Sequence, residues 1–115
     1  MKVYQTIRSL AKIRIVMDDA TRISALANTN RLAVMRWLKE PKEHFPAQIH
    51  ADIEKVGVCC TFITDKLGIA PATTTRHMRI LADAGLVRAT RLGKYTYYKR
   101  VNSELKKLGR DLANL

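Results

Sequence analysis

The chain has 115 residues, of which 47% are hydrophobic, so it is long and apolar enough to form one domain around its own core without disulfide staples. Its 21 Lys and Arg residues against 10 Asp and Glu residues give a formal net charge of +11, which favours a polyanionic partner. Charged residues interrupt the apolar positions near the N-terminus, and no apolar run reaches the roughly 18 residues of a membrane helix, so we expect no signal peptide, no membrane partner and a cytoplasmic location.

Apolar residues in the N-terminal quarter of the chain recur with a helical period. A leading helix over residues 1–19 is predicted by the spacing i, i+4, i+7 and i+14 of Val3, Ile7, Leu10 and Met17, with the charged Arg14 at i+11 of the same row. Asp18 and Asp19 are natural N-caps, so a second helix is predicted to begin there. Its apolar face consists of Ile23, Leu26 and Ala27.

A third helix and a long loop follow. Asn28 or Thr29 is expected to cap the helix, and Pro41 ends it, because proline has no N–H for the helical hydrogen bond. Residues 39–57 are predicted to form a loop, since Pro46 and Gly57 disfavour continuous helix. The apolar residues of the helix are Leu32, Met35, Trp37 and Leu38.

Residues 61–84 have the pattern of a helix-turn-helix, with a short helix, a three-residue turn and a second helix led by Pro71. Proline in the first turn costs no hydrogen bond, and Ala70 is a poor cap, so we expect bare backbone N–H groups at this helix start. The spacing i, i+4, i+7 directs Thr74, Met78 and Leu81 toward the core. The outward residues are then Ala72, Thr73, Thr75, Arg76 and Arg79.

This outward side carries short hydroxyls and arginines near the N-terminus of the helix. Threonine can hydrogen-bond to base edges or to phosphates, and arginine can reach guanine with two hydrogen bonds. The composition therefore predicts a recognition helix that enters the major groove of double-stranded DNA. The alternative, that Arg76 and Arg79 are ordinary solvated charges, stays open at this point, above all for Arg79, which lies deeper in the helix.

After Gly85 the apolar period changes from that of a helix to that of a strand. Two alternating segments flank Gly93 and Lys94 and predict a two-stranded hairpin, or wing, over residues 86–100. Its tip would place Arg91 and Lys94 against the DNA backbone. Two adjacent aromatic residues in the second strand are expected to anchor the wing to the core, namely Tyr97 and Tyr98.

Positive charge is concentrated in the recognition helix and the wing. The segment from Arg76 to Arg100 holds seven basic residues and one acidic residue, Asp83, and so supplies +6 of the net +11. Such a local field favours a polyanion lying across one face and makes its binding strongly salt-dependent. A basic surface that serves only solubility is the alternative.

The predicted fold is mainly α with a small two-stranded β wing, in the order α-α-α-α-β-β-α with room for one extra N-terminal helix. It is a single winged helix-turn-helix domain over residues 1–115. The last helix, over residues 101–115, carries an apolar stripe formed by Leu105, Leu108, Leu112 and Leu115. We expect this stripe to pack with the leading helix of a second copy, in a homodimer whose interface also includes Val3, Ile7 and Leu10.

Two segments resemble the ArsR/SmtB family of bacterial regulators. LANTNRLAVMRWL is similar to the LADPTRLRILRLL segment of that family, and TDKLGIAPATTTRHMRILADAGLVRATRLGKYTYYKR resembles its helix-turn-helix and wing. The resemblance implies a homodimeric repressor that binds an inverted-repeat operator, with its two recognition helices in successive major grooves. The residues at the groove-facing positions of the family are Thr73, Thr75, Arg76 and His77.

The two cysteines, Cys59 and Cys60, are adjacent and are expected to stay reduced, because sequence neighbours rarely meet disulfide geometry. Many members of the resembled family hold a thiophilic metal at this helix start, and here Cys59 falls on the first thiol position and Thr61 on the second. Adjacent helical side chains point about 100° apart, so one ion cannot easily take both thiols. We expect no cofactor and no obligate metal site, with Cys59 reactive at the helix start and Cys60 facing inward.

A thiol- or metal-responsive repressor is the first alternative function. In it, Cys59 and Cys60 are joined by His44 and His50 from the preceding loop, in a spacing that matches no established motif. A second alternative uses the winged helix for protein contacts only, which the basic wing disfavours. An enzyme is not expected, because the sequence has no phosphate-binding loop, apolar carboxylate pair or activated nucleophile. The sequence identifies no inducer.

Overall fold

The computed structural model describes the backbone of residues 2–115 and the side chains of residues 6–115. Over this range the chain is mostly helical with one small antiparallel sheet, which confirms the predicted fold class. Among the described helices, none has the length and hydropathy needed to cross a membrane. The elements are α1 (Lys2–Leu26), α2 (Thr29–Lys39), α3 (Pro41–His44), β1 (Val58–Cys59), α4 (Cys60–Leu67), α5 (Pro71–Asp83), β2 (Val87–Leu92), β3 (Tyr95–Arg100) and α6 (Asn102–Ala113).

The N-terminal region is one helix, α1, so the prediction of two helices was wrong. Asp18 and Asp19 lie inside α1 and cap nothing. A capping residue begins a helix only where the preceding backbone is non-helical, and no Gly or Pro breaks the helix between residues 2 and 26. Of the predicted interface residues in α1, the side chain of Val3 lies outside the described residues.

The helix that was predicted as the third is α2, and it begins and ends as predicted. Asn28 is its N-cap, and its Oδ1 accepts a hydrogen bond of 3.1 Å from the backbone N–H of Arg31. The helix ends at Lys39, just before Pro41. The predicted loop after it was incomplete, because Pro41 opens the four-residue helix α3, where its missing N–H costs no hydrogen bond.

The sheet has three strands in the order β1-β3-β2, so the two-stranded wing prediction missed one strand. β2 and β3 form the predicted hairpin, and Gly93 at its turn has a φ of +60°. The missed strand, β1, pairs Val58 with Tyr98 and Cys59 with Tyr97. A two-residue strand is too short to show alternation in the sequence, so only its pairing with β3 reveals it.

The core lies between the helix-turn-helix and the sheet, and one face of α5 is buried in it. The predicted inward residues Thr74, Met78 and Leu81 are all 0% exposed. The hydroxyl of Thr74 donates to the carbonyl of Ala70 at 3.3 Å, so the buried side chain keeps a hydrogen-bond partner. Other fully buried side chains come from α2, β1, α4 and the turn before β2, namely Val34, Val58, Ile63 and Leu86.

The last helix packs against its own chain, which corrects the predicted dimer stripe. Leu108 is only 3% exposed, and Leu105 is partly buried against the core. Nη2 of Arg22 in α1 lies 2.6 Å from Oε2 of Glu104 in α6, in a partly buried salt bridge. Because α6 folds back onto the C-terminal part of α1, Leu108 packs within the monomer and is not free for a partner, while Leu105 stays partly exposed.

Two carboxyl groups, those of Asp19 in α1 and Asp111 in α6, meet where these helices pack. Each buries one oxygen to which no described group donates. Burial, followed by the charge and hydrogen bonding of Asp111, raises the pKa of Asp19 above its usual 3.8. A carboxyl whose pKa is raised in the folded state contributes stability that is present at low pH and is lost as the pH rises through the folded-state pKa.

We therefore expect Asp19→Asn to raise the melting temperature at neutral pH, because the amide removes the repulsion and donates to Asp111. At about pH 4, where a shared proton already supplies that hydrogen bond, the gain should shrink. Thermal unfolding at both pH values measures the difference. As a control, Asp52→Ala should lose stability at neutral pH, since the N–H groups of Lys55 and Glu54 lower the pKa of Asp52. An equal gain for Asp19→Asn at both pH values would contradict the assignment.

Candidate nucleic-acid interface

The side of α5 opposite the core is open to solvent. All five residues predicted to face outward are exposed, namely Ala72, Thr73, Thr75, Arg76 and Arg79. Successive residues turn by about 100°, so Ala72, Arg76 and Arg79 point most directly away from the core. The flanks of this face differ, because Thr75 lies toward the Cys60 thiol at the start of α4.

The N-terminus of α5 is uncapped, as predicted. Ala70 precedes it in an extended conformation, with φ −65° and ψ 145°, and supplies no side-chain hydrogen bond. Pro71 has no N–H, so the first free donors are the backbone N–H groups of Ala72 and Thr73. Exposed N–H groups and the positive end of the helix dipole together favour an anion such as a phosphate.

The two exposed threonines differ in what they can offer a ligand. Oγ1 of Thr75 donates to the carbonyl of Pro71 at 3.1 Å and is also hydrogen-bonded to the Cys60 thiol, so its proton is committed and one lone pair remains. No described group hydrogen-bonds to the hydroxyl of Thr73. Thr75 is therefore suited to accept from an amino group, such as that of adenine or cytosine, whereas Thr73 can donate or accept.

His77 is half-buried on the side of α5 that faces α2. Its Nδ1 lies 3.0 Å from Nη1 of Arg31. Burial lowers the pKa of His77, and the positive charges of Arg31 and Arg76 lower it further, so the ring is neutral at neutral pH. Sequence reasoning missed Arg31, because the contact joins residues 46 positions apart and no local pattern links them.

The tip of the wing holds two exposed cations in place. Nε of Arg91 donates to the carbonyl of Gly93 at 2.9 Å. Nζ of Lys94 lies 5.4 Å from the ring centre of Tyr95, within range of a cation–π interaction. The predicted anchors, Tyr97 and Tyr98, are 3% and 6% exposed, so the base of the wing is packed while its charged tip is solvated.

A second basic pair lies along the wing. Arg88 in β2 stands directly opposite Lys99 in β3, and both are exposed. Like charges in this cross-strand position repel each other, and an anion bound between them would relieve the repulsion. Sequence reasoning counted both residues in the basic segment but did not pair them, although a two-residue turn at Gly93 and Lys94 sets this register.

One member of the basic segment is structural. Arg100 is partly buried, and its Nη1 donates to the carbonyl of Met35 in α2 at 2.9 Å. Burial lowers the pKa of its guanidinium. The exposed basic residues of the segment are therefore Arg76, Arg79, Arg88, Arg91, Lys94 and Lys99.

Cys60 faces inward as predicted, because it is partly buried against the core, but Cys59 is not the accessible, reactive thiol that was expected. Cys59 is buried at 8% exposure in β1, where its N–H donates to Oε1 of Gln48 at 2.7 Å. Cys60 is the first residue of α4 and is half-buried. Burial raises the pKa of the Cys60 thiol, against the weaker effect of hydrogen bonds with Thr75 and Thr64. The prediction for Cys59 failed because this residue belongs to β1, so α4 begins one residue later, at Cys60.

The candidate metal ligands of the alternative function are only partly brought together. His50 and Cys59 line one cavity of about 260 Å³ between the loop after α3 and the wing, together with Phe62, Tyr95 and Tyr97. His44 lines a different cavity, beside Phe62 and Lys66. Among the described residues, no three His, Cys, Asp or Glu side chains form a group that could hold a metal ion.

Comparisons with known proteins agree with this geometry. No family model matches the chain. The chain is 44% identical to an uncharacterised HTH-type transcriptional regulator, YbzH, of Bacillus subtilis (strain 168). The aligned 92 residues cover 80% of this chain and 92% of the relative. This similarity extends through most of both chains, so it concerns the whole domain.

Solved structures with the same fold include an ArsR-like regulator and a possible ArsR-family regulator. An ArsR-like transcriptional regulator from Rhodococcus sp. RHA1 superposes with a TM-score of 0.64 at 20% identity, over 87% of this chain and 80% of that one. The homodimeric winged helix-turn-helix DNA-binding domain of Mb0332 from Mycobacterium bovis has a TM-score of 0.65 at 21% identity, over 89% and 82%. NolR from Sinorhizobium fredii has a TM-score of 0.59 at 22% identity, over 87% and 86%.

These relatives confirm the expectation of a regulator and not an enzyme. The exposed α5 face, the uncapped helix start and the basic wing are the parts that such a regulator needs. The chain therefore belongs to the HTH-type transcriptional regulators, with the winged helix-turn-helix fold of the ArsR family.

Proposed function

We propose that the chain is a homodimeric repressor that binds an inverted-repeat operator. In this proposal α5 of each subunit enters a major groove, and the wing lies along the flanking backbone. The observation that carries it is the exposed face of α5, where an uncapped N-terminus, Thr73 and Arg76 lie side by side. The proposed target, chromosomal DNA, places the action of the protein in the bacterial cytoplasm.

Roles within the interface follow from chemistry. Arg76 projects from the centre of the α5 face and is proposed to read a base edge, for which a guanidinium is suited. Arg91 and Lys94 at the wing tip are proposed to contact phosphates. Ala72, Thr73, Thr75, His77 and Arg79 complete the proposed DNA-binding set.

The dimer is proposed to form through α1. Every described side chain from residue 6 to residue 18 is exposed, and a helix without packing is marginal in water. Ile7, Leu10 and Met17 are about 60% exposed and lie within one arc of α1. Leu112 and Leu115 of the C-terminal segment are also exposed and can extend the same interface. The homodimeric domain from Mycobacterium bovis supports this assembly by analogy.

We expect the purified protein to bind duplex DNA with an affinity that falls about a hundredfold or more between roughly 50 and 200 mM salt. Fluorescence anisotropy with a duplex selected from a random pool, and with a scrambled duplex, measures this. Arg76→Ala should reduce the preference for the selected duplex by about 1–3 kcal/mol. Lys94→Ala should weaken both duplexes alike and reduce the salt slope by about one.

Two results would refute these roles. Binding that is insensitive to salt would remove the electrostatic basis of the proposal. Equal effects of Arg76→Ala and Lys94→Ala on both duplexes would contradict the division between base reading and backbone contact.

A further inference from the structure

The contact between α2 and α5 involves Arg31, whose backbone and guanidinium are both hydrogen-bonded within the protein. Arg31 lies in the first turn of α2, where its backbone N–H is bound by the cap residue Asn28. Its Nε donates to the carbonyl of Ala25 near the end of α1 at 2.5 Å, and its Nη1 meets Nδ1 of His77 at 3.0 Å. The guanidinium is thus held between α1 and α5, and its position relative to His77 is determined by the fold.

The chemistry of this pair selects one form of the histidine ring. A guanidinium has only N–H donors, so Nδ1 of His77 must be the unprotonated acceptor. A neutral imidazole then carries its proton on Nε2, and an imidazolium would set N–H against N–H. The charged groups that face His77 are Arg31 of α2 and Arg76 of α5, both cations that disfavour protonation.

The remaining ring nitrogen, Nε2, belongs to a residue on the flank of the exposed α5 face. His77 is only partly exposed and follows Thr73 by one helical turn, and no described group hydrogen-bonds to its Nε2. Nε2–H is therefore a donor without a partner in the described chain. DNA offers acceptors of the matching kind, namely phosphate oxygens and the N7 or O6 atoms of purines.

We propose that Arg31 is a positioning residue for DNA binding, which fixes His77 as the Nε2–H tautomer and so directs a single donor toward an acceptor atom on DNA. This inference rests on the proposed binding of DNA by α5. It assigns Arg31 no contact with DNA; the two contacts it does assign are those of Nε with Ala25 and of Nη1 with His77. The effect of Arg31 on DNA affinity should consequently require His77.

The direct test is the tautomer of His77 in the free protein. Long-range ¹H–¹⁵N NMR should show Nε2 protonated and Nδ1 bare in the wild type. In Arg31→Met, which keeps the length of the side chain but donates nothing, the two tautomers should mix and the pKa of His77 should rise toward 6.5. Nδ1–H as the main form in the wild type would overturn the inference.

The functional test is a double-mutant cycle on DNA affinity. Arg31→Met and His77→Ala should each weaken binding of the selected duplex about three- to tenfold, the value of one hydrogen bond. In the His77→Ala background, Arg31→Met should have no further effect. If Arg31→Met costs the same with and without His77, Arg31 acts on its own and the inference is wrong.

Two comparisons separate the remaining outcomes. If the acceptor is a phosphate, Arg31→Met and His77→Ala should weaken binding of the scrambled duplex as much as that of the selected one. If the acceptor is a base edge, only binding of the selected duplex should weaken. Either result supports the inference. A wild type that binds neither duplex refutes the proposed function itself. A wild type that binds both, with an additive cycle, refutes only the role of Arg31.

Discussion

We expect Leu10→Glu to convert the protein from a dimer to a monomer and to weaken operator binding by about a hundredfold or more. Leu10 is 61% exposed at the centre of the apolar arc of α1, between Ile7 and Met17. A carboxylate placed there would be desolvated in the dimer, at a cost that exceeds the gain from burying leucine. Loss of the second subunit removes the avidity of two linked half-sites.

The shape of α1 explains why Leu10→Glu should dissociate the dimer. The described chain measures 58 by 25 by 24 Å, and α1 alone spans about 37 Å, so much of this helix projects from the domain. A stable interface needs about 800 Å² from each partner, and a helix of this length with an apolar arc can supply it. The base of α1 stays attached through Arg22 and the buried Ala25, so the monomeric variant should remain folded.

A matched control is available on the same helix. Ile15 is 49% exposed but lies about 140° around α1 from Leu10, outside the proposed arc. Ile15→Glu should therefore leave the dimer intact. Light scattering coupled to gel filtration gives the mass of each variant, and circular dichroism confirms folding. A monomeric wild type, or equal dissociation of the two variants, would refute the proposed interface.

We expect Gly57→Ala to lower the free energy of unfolding by about 3 kcal/mol or more. Gly57 has a φ of +108°, which L side chains rarely adopt, and it lies against β3. A Cβ there would collide with the backbone carbonyl of Tyr98 and would sit 2.7 Å from the N of Lys99. Backbone atoms inside a sheet cannot move aside, so β1 would have to separate from β3.

Gly93 gives the control for this prediction. It also has a positive φ, +60°, but no atom lies within 4 Å of the site of its Cβ. Gly93→Ala should therefore cost only backbone strain, about 1 kcal/mol. Urea unfolding of both variants measures the difference. Similar losses for Gly57→Ala and Gly93→Ala would show that the close approach of Gly57 to β3 does not matter for stability.

Sequence reasoning succeeded where a structural feature depends on neighbouring residues. The inward side of α5, Thr74, Met78 and Leu81, follows from the helical period, which is set by the backbone alone. The turn at Gly93 follows from alternation on both sides of a glycine. The same local reasoning correctly predicted that Arg76 is exposed and that the start of α5 has no side-chain cap.

It failed where a position depends on a distant segment. Asp19 looks like a cap, but it lies inside α1 and meets Asp111 of α6. Leu108 has the spacing of a surface stripe, but α6 folds back and buries it. Cys59 has the position of a helix start, but pairing with Tyr97 makes it part of a strand.

The sequence by itself determined the class of fold and the exposed face that we propose binds DNA, because both follow from periodicity, turn residues and the clustering of charge along the chain. Only the tertiary structure decided which of the basic residues are exposed and which are buried. It turned Arg100 inward to the carbonyl of Met35. It also brought Arg31 to His77, since such contacts arise from the packing of whole elements and leave no trace in local sequence.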